Sequence, residues 1–169
     1  RLSRSQAAVA KAVLKSCSEI PHLHVTAAID MIVAERIRNQ SAMAGAKIGY
    51  DALFLKAMAG AIQAVPLIAA HLDGEFVIRP EGIHIAMAIG LENDLNLPVV
   101  KNVDQKDLLA LQGEIDDLVA QARAHTLKAE QITGGCITLT NLGMYPIESF
   151  DPIIFPEHSS ILAIGAVQK

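Results

Sequence analysis

The sequence contains no tryptophan, and aromatic residues make up only 4% of its 169 positions. Aliphatic side chains and alanine must therefore supply the core, and hydrophobic residues make up 51% of the chain. A chain of this length can bury a sizeable core as one domain. The composition is that of a globular protein whose interior is built from Ala, Ile, Leu and Val.

Basic residues are not in excess, and long hydrophobic runs are absent. The formal net charge is -4 and the isoelectric point is about 5.8, so there is no electrostatic reason to expect nucleic acid as a partner. No uncharged apolar run reaches the roughly 18 residues that a transmembrane helix requires. We therefore expect no contact with nucleic acid and no membrane-spanning segment.

Cysteine is scarce, and the familiar catalytic motifs are missing. Cys17 and Cys136 lie far apart and lack the spacing of a metal site, so we predict that both are reduced and buried in an intracellular protein. His22 and His24 alternate on one predicted strand and could share a metal, but no third ligand is near them in sequence. The chain has no nucleophile elbow, no phosphate-binding loop and no dinucleotide fingerprint. We predict no metal site.

Hydrophobic periodicity predicts about four helices and six strands. The predicted helices cover residues 3–14, 32–38, 50–65 and 104–125, the last of them capped by Asp104. The predicted strands cover residues 23–31, 76–78, 83–91, 97–101, 136–140 and 161–167. Helices and strands in this mixed order predict an α/β sandwich in which helices pack on one mixed sheet.

The stretch GGCITLTNLG is the strongest candidate for chemistry. Its alternation predicts a half-buried strand that places Thr140 at its end, and Asn141 and Gly143 are typical turn residues. A hydroxyl held there has a fixed direction. Cys136 has no basic neighbour in sequence and is better explained as a small strand residue than as a reactive thiolate.

Six segments follow one another along the whole chain in a suggestive order. They are LSR, IPH, IGYDALFLKA, LPVVKNVDQKDL, GGCITLTNLGM and FDPIIFPEHSSILAIGAV. In this order they resemble the catalytic domain of the dihydrolipoamide acyltransferases of 2-oxo acid dehydrogenase complexes. The resemblance implies a two-layer sandwich like that of chloramphenicol acetyltransferase, with a mixed sheet flanked by helices. It also implies a homotrimer with active sites between subunits, built into a larger core.

The implied reaction moves an acyl group between dihydrolipoamide and coenzyme A. Thr140 matches the hydroxyl residue that stabilises the oxyanion of the tetrahedral intermediate in that family. Asn141, Leu142 and Gly143 match the adjoining turn and are the implied substrate-binding residues. Coenzyme A would be a substrate, the lipoyl group would be carried on a separate domain, and no metal is implied.

The resemblance also implies partners and a compartment. The partners would be the lipoyl domain, the 2-oxo acid decarboxylase and dihydrolipoamide dehydrogenase. The compartment would be the bacterial cytoplasm, or the mitochondrial matrix in a eukaryote.

One element of the family pattern is not found in the chain. The family's general-base histidine belongs to a D-H-R-x-x-D-G signature that follows the last matching segment, and none of the six histidines here is followed by Asp-Gly at that spacing. We expect residues 1–169 to be a single catalytic domain that is truncated before this signature. The alternatives are a structural core protein of the same fold that only assembles and carries partner enzymes, and an acyltransferase that uses coenzyme A thioesters without a lipoyl partner.

Overall fold

The computed structural model describes residues 1–92 and 94–168, and Asn93 and Lys169 lie outside the described residues. The described part contains four α-helices and eight short strands. The helices are α1 (Arg4–Glu19), α2 (Ile32–Met43), α3 (Tyr50–Ala64) and α4 (Leu108–Arg123). The strands are β1 (His71–Asp73), β2 (Phe76–Ile78), β3 (Ile85–Met87), β4 (Ile89–Gly90), β5 (Leu95–Asn96), β6 (Val99–Val100), β7 (Ile137–Asn141) and β8 (Ile161–Ile164).

Local signals set the ends of α1 and α3. Ser3 begins α1 with a capping box, in which its hydroxyl accepts from the Gln6 amide at 3.1 Å and the Gln6 side chain accepts from the Ser3 amide at 3.0 Å. Helix α1 continues to Glu19, past the predicted end, and stops ahead of Pro21. Helix α3 matches its prediction, because Pro66 prevents its continuation and opens a short 3-10 turn.

Two helix predictions were wrong in their boundaries. Helix α4 is capped by Asp107, which accepts from the Ala110 amide at 2.8 Å, and not by Asp104. Asp104 instead lies in a 3-10 turn that is held by the fully buried Val103. Helix α2 runs beyond residue 38 to Met43, and since it buries no residue, no apolar periodicity marked its second half.

Four strands form one mixed sheet in the order β6-β3-β7-β8. Strand β7 lies between β3 and β8 and is parallel to both, whereas β6 pairs with β3 in the antiparallel sense. The sheet's apolar face packs on α3 and α4 in one core, which includes Leu55, Leu111, Ile85, Ile137 and Leu139. The mixed sheet flanked by helices confirms the predicted fold class.

The clearest predicted strand, residues 23–31, is not a strand. Residues 20–31 have no ladder partner within the described chain, and Leu23, Val25 and Ile29 are exposed. Alternation favours an extended chain, but a strand also needs a neighbouring edge with which to pair. A cavity of about 670 Å³, lined on opposite sides by residues 26–32 and 162–168, separates this segment from β8.

The other strand predictions hold with interruptions. The predicted strand 83–91 divides into β3 and β4. Their antiparallel partners are β6 and β5, and these two strands are separate because Pro98 lies between them and has no amide hydrogen to donate. Gly74 and Glu75 form the turn that joins β1 to β2. Strand β8 is half-buried and ends at Ile164, because the chain then turns and the Ala166 amide donates to the Ile147 carbonyl at 2.8 Å. No helix in the described residues is long and apolar enough to cross a membrane.

Candidate active site

Cys136, Thr138 and Thr140 alternate on one face of β7 and of the residue before it. They differ in whether their side chains already form a hydrogen bond. Cys136 donates through Sγ to the His84 carbonyl at 3.0 Å, and burial raises the pKa of its thiol, so it is not a thiolate. A hydrogen bond of 2.6 Å joins Thr138 Oγ1 to His158 Nδ1. Within the described residues, the hydroxyl of Thr140 makes no hydrogen bond. It is therefore the side chain of the three that is free to bind another group.

Thr140 opens onto a cavity of about 340 Å³. Strand β3 lies beside β7 in parallel register, with Ala86 next to Thr138. Ala88 continues this face of small side chains and leaves the space above Thr140 open. Helix α1 and the segment 150–156 form the walls. Ala88, the residue directly after β3, thus borders the cavity.

The turn that follows Thr140 is tied to α3. Asn141 Nδ2 donates to Asp51 Oδ1 at 2.6 Å, and Asn141 Oδ1 accepts from the Gly143 amide at 2.8 Å. A side chain at Gly143 would bring its Cβ to 2.8 Å from the Gly165 carbonyl oxygen, so only glycine fits. Asn141, Leu142 and Gly143 do not line the cavity of Thr140. They set the direction of the strand end, and their predicted contact with substrate stays a prediction.

Asn141→Ala should destabilise the protein by about 1–3 kcal/mol, because it removes two hydrogen bonds and leaves the half-buried Asp51 carboxylate without this donor. Urea unfolding of the full-length protein measures the change. Asn39→Ala is the matched control, since Asn39 is exposed on α2, and it should shift the free energy of unfolding by less than about 0.5 kcal/mol. Equal effects of the two substitutions would contradict the structural role of Asn141.

The position of His158 in a loop after Pro156 predicts an exposed side chain, and this prediction is wrong. His158 is only 7% exposed, lies 5.3 Å from the Phe155 ring between centroids, and approaches the backbone of Gly135 closely. Burial lowers the pKa of His158 to about 4. A base with so low a pKa is a poor proton acceptor near neutral pH. No described histidine lines the cavity of Thr140.

The predicted burial of both cysteines was half right, since Cys136 is buried and Cys17 is exposed.

His22 and His24, which could have shared a metal, have a simpler explanation. His22 Nδ1 contacts the Ile20 carbonyl at 2.8 Å, and His22 Nε2 accepts from the Ile154 amide at 3.1 Å. Both ring nitrogens of His22 are thus in use. Within the described chain, no three His, Cys, Asp or Glu side chains gather as a metal site would require.

Sequence reasoning missed the contacts that hold the cavity wall. The fully buried Ser16 donates to the Ile154 carbonyl, and His22 accepts from the amide of the same residue. Together they dock the segment 150–156 against the end of α1. A signal was present: Ser16 continues the spacing of Val9, Ala12 and Val13 on the face of α1 that lines the cavity, where a polar residue must find a partner.

Known proteins resemble this chain along its whole length. The model of the family described as 2-oxoacid dehydrogenases acyltransferase (catalytic domain) matches residues 1–169. The acetyltransferase component of the pyruvate dehydrogenase complex of Zymomonas mobilis is 32% identical over 173 residues, which span 100% of this chain and 39% of that protein. The chain thus spans less than half of the length of the curated relatives that it matches.

Solved structures agree with the sequence matches. One was determined to study the roles of a serine, a histidine and an asparagine in the catalytic mechanism of Azotobacter vinelandii dihydrolipoamide acetyltransferase. It is 31% identical, covers 98% of this chain and 71% of its own, and superposes with a TM-score of 0.94. A second, of the cubic core of a pyruvate dehydrogenase multienzyme complex, has the same identity and coverage and a TM-score of 0.93.

These likenesses confirm the chloramphenicol acetyltransferase-like fold and the resemblance on which it was predicted. The chain belongs to the family of 2-oxoacid dehydrogenase acyltransferase catalytic domains.

Proposed function

We propose that the protein containing this chain transfers an acyl group between dihydrolipoamide and coenzyme A, as the acyltransferase of a 2-oxo acid dehydrogenase complex. The observation that carries the proposal is the Thr140 hydroxyl, which is unpaired among the described residues and opens onto a cavity. Strand β7 holds it between two parallel neighbours, so its direction is fixed before substrate arrives. Preorganised donors of this kind stabilise developing charge at no reorganisation cost.

The chemistry is thioester exchange. The sulfur of the attacking thiol forms a bond to the thioester carbonyl carbon, and the carbonyl oxygen takes the electron pair and becomes an oxyanion. The Thr140 hydroxyl donates a hydrogen bond to that oxygen. When the intermediate collapses, the carbon–sulfur bond to the leaving thiol breaks, and the leaving sulfur receives the proton that a general base removed from the attacking thiol.

The base of this reaction is proposed to be a histidine outside residues 1–169. Two observations support this: no described histidine lines the cavity, and burial lowers the pKa of His158 to about 4. Residues 1–169 would then form the wall of the site that binds the oxyanion. The reaction requires no metal in this scheme.

The partners and the assembly are part of the same proposal. The Zymomonas mobilis relative is a component of a pyruvate dehydrogenase complex, and a similar solved structure is a cubic core. We therefore propose homotrimers that build a core and receive acyl groups from a lipoyl domain. A 2-oxo acid decarboxylase would load that lipoyl domain, and dihydrolipoamide dehydrogenase would reoxidise it, in the bacterial cytoplasm or the mitochondrial matrix.

A direct assay tests the activity. The full-length protein is mixed with acetyl-coenzyme A and dihydrolipoamide, and the released coenzyme A thiol and the acetyl-dihydrolipoamide are both measured. We expect the two products to form in equal amounts at a rate proportional to enzyme. Trimers in sedimentation that form no product would contradict the proposal and favour a structural core protein.

A further inference from the structure

We propose that His22 is a positioning residue for acyl transfer, because its neutral ring holds the segment 150–156 in place as a wall of the cavity beside Thr140. The inference rests on the proposed function, since it assumes that the acyl thioester binds where Thr140 reaches its carbonyl oxygen. Every residue of the segment lines that cavity. A shift of the segment therefore changes the fit of the substrate and leaves the Thr140 hydroxyl in place.

The segment 150–156, which is described in full, contains no helix and no strand. Pro152 and Pro156 have no amide hydrogen, so they cannot donate to a neighbouring strand. Among the described residues, one backbone–backbone hydrogen bond reaches the segment, from the His158 amide to the Phe155 carbonyl at 2.8 Å. The position of the segment therefore depends on side chains that bind its backbone.

Two side chains hold both backbone polar groups of Ile154. The buried Ser16 hydroxyl donates to the Ile154 carbonyl, and His22 Nε2 accepts from the Ile154 amide at 3.1 Å. Ser16 lies in α1, and His22 follows shortly after the end of that helix. Because α1 also lines the cavity, these two contacts fix one wall relative to another.

The partners of His22 determine the protonation state of its ring. The Ile20 carbonyl lies 2.8 Å from Nδ1 and can only accept, so Nδ1 carries the hydrogen. The Ile154 amide can only donate, so Nε2 must keep its lone pair. A proton on Nε2 would place two N–H groups against each other and break the contact with Ile154. The ring therefore holds the segment only while it is neutral.

The charged groups near His22 come from its own segment, from the cavity wall and from α1. The His24 ring lies nearly parallel to that of His22, with centroids 6.1 Å apart, and His24 Nδ1 is 3.4 Å from Asp151 Oδ1. On α1, Lys15 and Glu19 pair with each other at 3.9 Å. Since His24 and Asp151 also respond to pH, a test of His22 must compare proteins that share both residues.

The test compares His22→Gln with His22→Asn in the full-length protein, with acetyl-coenzyme A and dihydrolipoamide as substrates. The glutamine side chain is long enough to place an oxygen near the position of Nε2, where it can accept from Ile154, whereas asparagine ends near Nδ1. We expect His22→Asn to raise the KM for acetyl-coenzyme A by about 2–10-fold, the range that one hydrogen bond represents, and to leave kcat unchanged. His22→Gln should restore the wild-type KM.

A pH profile supplies a second readout. The KM of the wild type should rise as the pH falls from about 7 to about 5, the range in which imidazoles gain a proton, and the KM of His22→Gln should rise less. The proposed catalytic histidine, His24 and Asp151 are common to both proteins, so the difference reports His22. His71→Asn is the matched control, since His71 is exposed on β1, and its kinetics should equal those of the wild type.

A His22→Asn enzyme that loses kcat at an unchanged KM would show that His22 only stabilises the fold, and it would overturn the inference. A wild-type KM in His22→Asn, a KM in His22→Gln as high as in His22→Asn, or parallel pH profiles would also overturn it. Each of these results requires an active enzyme and leaves the proposed function intact. A wild-type protein that transfers no acyl group would overturn the proposed function and this inference with it.

Discussion

Thr140→Ala in the full-length protein is expected to lower kcat by about 100–1000-fold, the usual cost of removing one donor to an oxyanion. The KM for acetyl-coenzyme A should change little, because the hydrogen bond strengthens only when negative charge develops on the carbonyl oxygen. Steady-state kinetics with acetyl-coenzyme A and dihydrolipoamide separate the two quantities. The structural basis is that, among the described residues, the Thr140 hydroxyl has no competing partner.

Two further variants separate chemistry from packing. Thr140→Val keeps the volume of the side chain and removes its hydroxyl, so it should be as slow as Thr140→Ala. Thr133→Ala removes a threonine hydroxyl from an exposed position in the loop before β7, and its kcat should equal that of the wild type. A Thr140→Val enzyme with normal kcat would show that the hydroxyl has no part in catalysis.

The second large effect is a loss of stability on mild acidification. His158 is buried in the folded protein, which lowers its pKa from 6.5 to about 4. Between these two pH values the unfolded chain binds a proton that the folded chain does not, so the free energy of unfolding falls as the pH falls. The loss amounts to about 3 kcal/mol by pH 4 and does not grow further below that pH. Above pH 6.5 this contribution is constant.

Urea unfolding at several pH values between 4 and 7 measures this effect. His158→Gln should show a shallower fall in the free energy of unfolding over that range, whatever its stability at pH 7. His71→Gln is the matched control, since His71 is exposed on β1, and its profile should parallel that of the wild type. Parallel profiles for His158→Gln and the wild type would contradict the assignment of the buried, neutral histidine.

The sequence predicted correctly those helices and strands whose conformation and ends are set by their own residues. Helix α3 has apolar residues at helical spacing and Pro66 after its end, and β7 has strict alternation between glycines and a turn. The segment 23–31 has an equally clear alternation, but pairing depends on a neighbouring edge, and a cavity separates it from β8. A local pattern specifies conformation, whereas a ladder is a property of two segments.

The site was predictable to the same extent. The alternation at the end of β7 and the family resemblance both made Thr140 the candidate, because each is a pattern of consecutive residues. The bond between Thr138 and His158, and the contacts of Ser16 and His22 with Ile154, join residues 20 to 138 positions apart. No short motif encodes such separations. Only the structure shows that Thr138 is bonded to His158 and that the Thr140 hydroxyl has no hydrogen-bond partner among the residues described.

The most direct test of the proposed role is the kcat of Thr140→Ser in the full-length protein. Serine keeps a hydroxyl at the same backbone position and removes only the methyl group. We predict a kcat within about tenfold of the wild type, against a loss of about 100–1000-fold in Thr140→Ala. A Thr140→Ser enzyme as slow as Thr140→Ala would contradict the proposal that this hydroxyl stabilises the oxyanion.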